Sequence, residues 1–349
     1  MSAPIRLLVS ITLFSCFFYK VYGQDIHFSQ FFNTPLIISP SNTGNIPGDF
    51  RVVGNYRSQW KEISKPYLTQ DVSFDKQFYV YGQRVSAGLI VINDQSGSSS
   101  DIHLPGRLRV TKALLSAAYH RTLAGHNLHG GLQFGYVGKR FSINDETFPN
   151  QMNWDKGSFD FHFPNYEGMD ESLTNIDLNW GVGWDKKIGS KMEPFVSFSM
   201  YHAYFPRETF FDEGKNHLKP RSIINAGTTI QLAKKIGIMP DLLLTYTTKA
   251  SEFLIGSTVE YTLAEGENPF KRKAIYAGIF QRNSIQIKTD AAFLVVGMKY
   301  FNWNGAISYD VNTSSLHPAT NYKGALEFSL IYTGINTHLS KTEIPCDRY

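Results

Sequence analysis

The stretch IDLNWGVGWD, residues 176–185, decides the fold class. Ile176, Leu178, Trp180, Val182 and Trp184 are apolar, while Asp177, Asn179, Gly181, Gly183 and Asp185 between them are polar or lack a side chain. Successive side chains of an extended chain point to opposite faces, so this alternation specifies a β-strand with one apolar and one polar face. Soluble sandwiches and membrane barrels both alternate in this way. The question is which solvent the apolar face meets.

Flanking segments repeat the pattern. In SEFLIGSTVEYTLA (251–264), Phe253, Ile255, Val259, Tyr261 and Leu263 oppose Glu252, Gly256, Thr258, Glu260 and Thr262. GALEFSLIYTG (324–334) and LHGGLQFGYVGK (128–139) behave alike, and aromatics gather at the strand ends, as in the interfacial girdles of a membrane barrel. About fourteen such runs cover residues 50–335, and an even number is the rule for these barrels. With the N-terminus inside, long outer loops should alternate with short periplasmic turns. YGQ, LAGH, KKIGSKM, KKIG and FNWNG are short; NDQSGSSSDIHLPG, residues 140–173, FPRETFFDEGKNHLKP and NTSSLHPATNY are long. A tight connection near Lys249 and a longer one, EGENPFKRK, break the trend. The pattern predicts an all-β chain, a transmembrane antiparallel β-barrel with both termini on the periplasmic side. Val182 should then face lipid and Asn179 the lumen, where a charge should be better tolerated.

The N-terminus supports export. MSAPIRLLVSITLFSCFFYKVYG places Arg6 before an apolar run from Leu7 to Phe18 and ends in the small residue Gly23. This pattern predicts a signal peptide over residues 1–23, cleaved after Gly23 and too short to span a bilayer. A lipoprotein signal ending at Cys16 is the alternative; bulky Phe14 and the apolar residues after Cys16 oppose it. Losing Arg6 and Lys20 takes 34 basic residues to 32 against 30 acids, too balanced for a nucleic-acid binder. Only Cys346 would remain in the mature chain, so no internal disulfide can form. Mean hydropathy is −0.23, and the longest apolar run after residue 23, AAFLVVGM (291–298), is far shorter than a membrane helix. Residues 24–49 hold three prolines and no clean alternation, and read as an N-terminal periplasmic segment or lumen plug. Residues 336–349 read as a periplasmic tail.

No catalytic residue, cofactor site or metal site emerges. His120, His126 and His129 lie close in sequence but straddle a strand end and a tight turn; they are expected to stay solvated rather than converge on zinc. Neither G-x-S-x-G nor His-Glu-x-x-His occurs, and the glycine pairs lack a following helix to cradle phosphate. The acids of residues 144–171 lack the spacing of a calcium loop. The aromatics of that loop are harder to dismiss. Phe148, Trp154, Phe161 and Phe163 are candidate partner-binding anchors, with packing over the barrel mouth as the alternative.

The order of motifs resembles the PorP/SprF family of the type IX secretion system. QDIHFSQFFNTPLIISPSNTG opens the mature chain in the family's manner, although Thr34 separates Asn33 from Pro35, and Ser39 and Ser41 stand where Asn and Ala are usual. YRSQW (56–60), GLIVINDQSG (88–97), LSAAYHRTL (115–123), GLQFGYVGK (131–139) and FPNQMN (148–153) follow in order. PFVSFSMYH (194–202), residues 307–332 and a closing PCDRY (345–349) complete the series, with Asp347 and Tyr349 as departures from a Cys-Pro-Arg-Phe ending. The resemblance implies a non-enzymatic barrel in the outer membrane of a Gram-negative cell. It would meet outer-membrane lipid, other type IX secretion components, and a secreted surface protein such as a large adhesin with a C-terminal sorting domain, including those of gliding motility. The alternative is an outer-membrane porin or transporter for small or hydrophobic solutes.

Overall fold

The computed structural model describes residues 25–60, 66–96, 108–141, 151–160, 172–210, 216–248, 251–265, 272–284, 289–314 and 317–335. The signal peptide expected at 1–23 and the tail expected at 336–349 lie outside them.

Fourteen strands close into one antiparallel barrel. They are β1 (Phe50–Gln59), β2 (Tyr67–Val80), β3 (Gln83–Ser96), β4 (Leu108–Leu123), β5 (His126–Phe141), β8 (Ser172–Asp185) and β9 (Met192–Tyr201). β10 (Arg221–Ala233), β11 (Ile236–Tyr246), β12 (Ser251–Ala264), β13 (Lys273–Ser284), β14 (Ala291–Tyr300), β15 (Trp303–Asn312) and β16 (Lys323–Gly334) complete it. Neighbours in sequence are neighbours in the wall, β5 pairs with β8, and β16 closes on β1 with Phe50 opposite Gly334 and Gly54 opposite Leu330. Closure removes the unpaired strand edges that a bilayer would not tolerate. A hairpin of β6 (Met152–Asn153) and β7 (Ser158–Phe159) stands apart in the β5–β8 connection.

The alternation resolves as the sequence predicts. On β8, Ile176 and Val182 are about half exposed while Asp177 and Asn179 are buried. On β4, Leu115 is exposed between buried Leu114 and Ser116. The same band of exposed Leu, Ile, Val and Phe continues through Val72, Ile255, Ile279, Leu294, Val296 and Leu330. An apolar band around a closed barrel is a surface built for lipid. Among the described residues no helix is long and apolar enough to cross a membrane.

Connections differ between the two ends. Tyr81–Gly82 and Ala124–Gly125 are tight turns with positive φ at both positions, matching the twist of the flanking strands. They share an end with the turns at 186–191, 234–235 and 301–302 and with the outer termini of β1 and β16. In bacterial barrels that end is periplasmic.

Residues 25–49 run inside the barrel. A 3₁₀ turn (Phe31–Asn33), a short helix α1 (Pro35–Ile38) and a second 3₁₀ turn (Pro40–Asn42) fold the segment against the wall. Phe31 and Ile38 pack with Tyr201, Ile223, Leu243, Leu254 and Phe280. Phe28, Leu36 and Ile37 pack with Ile90, Ile92 and Leu114. This filling corrects the expectation that Asn179 tolerates charge. Asn179 is fully buried and its side-chain oxygen accepts from the His202 amide at 3.0 Å. The lumen face is polar but not aqueous there.

Candidate functional site

The outer mouth holds the one candidate anchor that the structure describes. β6 and β7 form a hairpin with Trp154 at its tip, 83% exposed. The Asn153 side-chain oxygen accepts from the amides of Asp155 and Lys156, both at 3.1 Å, and Gly157 takes φ +63° to return the chain. An Asx turn of this kind fixes the backbone without tertiary support, so the indole is displayed from a preset turn. Phe148, Phe161 and Phe163 lie outside the described residues.

Below that mouth lies the head of the N-terminal segment. Asp25 sits between Lys112 of β4 (3.0 Å), Arg221 of β10 (3.2 Å) and His202, which follows β9 (3.1 Å). These groups lie at the end of the barrel opposite the tight turns. The segment therefore enters at the periplasmic mouth and points its head outward. What places the segment is a set of long-range contacts that no local pattern encodes. Burial penalises the Asp25 carboxylate, but Lys112, His202 and Arg221 outweigh it and hold its pKa well below the usual carboxylate range. Burial likewise opposes a charge on His202; hydrogen bonds to Asp177 (3.0 Å) and Asp25 prevail and raise its pKa.

A second buried network fixes residues 29–33. Glu327 of β16 accepts from the amides of Ser29 (2.7 Å) and Gln30 (2.9 Å) and pairs with Arg57 of β1. Asp310 of β15 accepts from the Ser29 hydroxyl at 2.7 Å and pairs with Arg57 (3.3 Å) and Arg282 (3.2 Å). Arg282 also pairs with Asp290 (2.7 Å) and Glu252 (3.6 Å), so two buried guanidinium groups are shared among four carboxylates. A buried ionic set of this kind stabilises weakly, while removing Arg57 would leave Glu327 without its cationic partner. Sequence reasoning missed it: Arg57 and Glu327 each occupy an inward position of an alternating strand, with nothing local to announce the other.

The histidines also depart from expectation. His120 and His129 occupy paired positions on β4 and β5, and their Nδ1 atoms approach to 2.7 Å in the lumen. His129 Nε2 reaches Asp185 at 2.6 Å, and His120 Nε2 lies 2.9 Å from the Thr43 carbonyl. The pair converges because it shares the inward face at one register position. Only His126 points away, accepting from the Trp184 indole at 2.9 Å. Among the described residues no group of three or more His, Cys, Asp or Glu side chains could hold a metal ion.

Comparisons with known proteins follow the same lines. Solved structures of similar fold include a TodX deltaS2S3 mutant monoaromatic hydrocarbon channel, 9% identical over 86% of this chain and 93% of that one, with a TM-score of 0.50. The Ralstonia pickettii toluene transporter TbuX is 10% identical over 86% and 92%, with a TM-score of 0.49. A Pseudomonas aeruginosa FadL homologue is 9% identical over 84% and 92%, with a TM-score of 0.47. At such identities the likeness is one of fold alone. No curated protein matches the chain in sequence. The family model for the type IX secretion system membrane protein PorP/SprF matches residues 20–332, nearly the whole barrel and the segment within it. The chain therefore belongs to the PorP/SprF family, and it is an outer-membrane β-barrel of the type IX secretion system.

Proposed function

We propose that this barrel acts without catalysis, holding a secreted surface protein at the outer face, such as a large adhesin with a C-terminal sorting domain. The supporting observation is Trp154, displayed from a preset hairpin at the mouth opposite the tight turns. Aromatic anchors dominate interfaces of this sort, and losing one can cost about 2 kcal/mol or more. Phe148, Phe161 and Phe163 of the same connection would complete the contact. The porin alternative is disfavoured by the segment 25–49, which occupies the lumen with apolar and ionic contacts to opposite walls. Residues 1–23 would be the export signal, so the mature chain begins at Gln24.

Deleting residues 150–168 tests the reading. The barrel is expected to assemble normally while the adhesin is shed into the medium. If cargo stays on the cell surface after the deletion, the loop is only a lid and the contact lies elsewhere.

A further inference from the structure

The tetrapeptide Lys-Lys-Ile-Gly occurs twice, at 186–189 and at 234–237. Each copy sits at a tight-turn connection, between β8 and β9 and between β10 and β11. Wall order β11-β10-β9-β8 makes these two connections neighbours. The Gln231 amide donates to the Lys191 carbonyl at 2.7 Å and joins one turn to the other. Lys186, Lys187, Lys191, Lys234 and Lys235 are thereby gathered on one arc of the periplasmic rim.

These lysines are poorly neutralised. Among the described residues Lys187 alone has a carboxylate, Glu193 at 3.5 Å, and both side chains of that pair are more than half exposed. Lys186 lies 3.1 Å from the His126 ring and has no carboxylate partner among the described residues. Five lysines against Glu193 and Asp185, the latter held by His129 and Asn127, leave the arc net positive, and such an arc attracts an anion.

Its neighbours say which kind. Ile188 (49%), Met192 (37%), Leu232 (62%) and Ile236 (38%) are exposed on the same turns, interleaved with the lysines. Trp184, with its indole nitrogen bonded to His126, lies at the same level, where aromatic girdles mark the membrane surface. An acidic protein would leave these apolar side chains unused. A bilayer accommodates both: the apolar groups dip into the acyl boundary, and the ammonium groups extend to the phosphates. We infer that the two Lys-Lys-Ile-Gly turns form a site for anionic phospholipid head groups of the periplasmic leaflet, fixing the depth and tilt of this side of the barrel.

The inference does not depend on the cargo reading and is tested without cargo. The full chain is reconstituted in discs of phosphatidylcholine with and without phosphatidylglycerol, and the lipids retained by the barrel are counted by native mass spectrometry. The unaltered protein should retain phosphatidylglycerol preferentially, and less so as salt rises. Changing Lys187, Lys191, Lys234 and Lys235 together to Gln should reduce that retention roughly tenfold or more. Lys156→Gln on the outer hairpin should leave it unchanged. Heat-modifiable migration on gels confirms that the variants are folded. Equal retention by the quadruple variant overturns the inference. So does displacement of the lipid by inorganic phosphate at equal concentration, which would mean a simple anion site. Absence of any phosphatidylglycerol preference, with a periplasmic protein lost from native membranes in the variant, would assign the arc to an acidic protein instead.

Discussion

A Cβ on Gly131 would overlap the carbonyl group of Pro40, and one on Gly181 would overlap the Ser39 hydroxyl, whereas one on Gly54 would meet nothing within 4 Å. The first two glycines face the lumen and let the N-terminal segment lie directly on the wall; Gly54 faces lipid. Gly131→Ala should therefore destabilise the protein by about 1–3 kcal/mol, because the obstacle is backbone and no rotamer relieves it. Gly54→Ala should stay within about 0.5 kcal/mol. Urea unfolding of the two variants in the same micelles makes the comparison, and equal midpoints would refute the close approach. On the lipid face, Val182→Arg should lower the thermal midpoint, at a cost below the roughly 2–4 kcal/mol of a charge at the bilayer midplane, because Trp184 two residues on lies at the membrane surface. His202 adds a pH dependence. Its folded pKa is raised above the unfolded value of about 6.5, so its contribution is complete below that value and disappears as pH climbs through the folded one. The thermal midpoint of the unaltered protein should exceed that of His202→Gln by most in mildly acidic buffer, and the gap should narrow toward alkaline pH. A gap that widens instead would mean the histidine is neutral in its site.

Strands were legible because their cause is local. Alternation over ten or more residues names both faces of β8 or β12, and the turn at Ala124–Gly125 needs only two residues that accept positive φ. The segment 25–49 has no such period. Its prolines and short turns follow the shape of the lumen, and its partners, such as Glu327 for Ser29 and Ser199 for Ile38, are 298 and 161 positions away. His120 and His129 show the same limit: their convergence follows from the pairing register of β4 with β5, which side-chain types do not specify. Once docked, the segment should be permanent. Burying Phe28, Phe31, Leu36, Ile37 and Ile38 contributes roughly 8–15 kcal/mol as an upper bound, far above thermal energy. The full chain should then show no steady conductance in planar bilayers, while deletion of residues 25–46 should open step-like currents. Similar currents from both would show that the segment does not seal the lumen.

For the whole molecule, the direction of the N-terminal segment is the most consequential feature. β1 starts at the end with the tight turns, yet Asp25 is clamped near the opposite mouth by Lys112, His202 and Arg221. Residues 25–49 therefore run the length of the lumen, from the periplasmic mouth toward the outer one. The topology can be read on intact cells. In a Cys346→Ser background, Ile26→Cys, a half-buried position at the head, should react with a small charged thiol reagent added outside. Pro47→Cys is exposed near the strand termini and should react only after the outer membrane is breached. The opposite pattern would invert the barrel in the membrane, moving Trp154 to the periplasm and the lysine arc to the cell surface. The two sites thus stand or fall on one orientation: a displayed indole needs the side where secreted protein arrives, and an arc of exposed lysines needs the leaflet that supplies phospholipid phosphates.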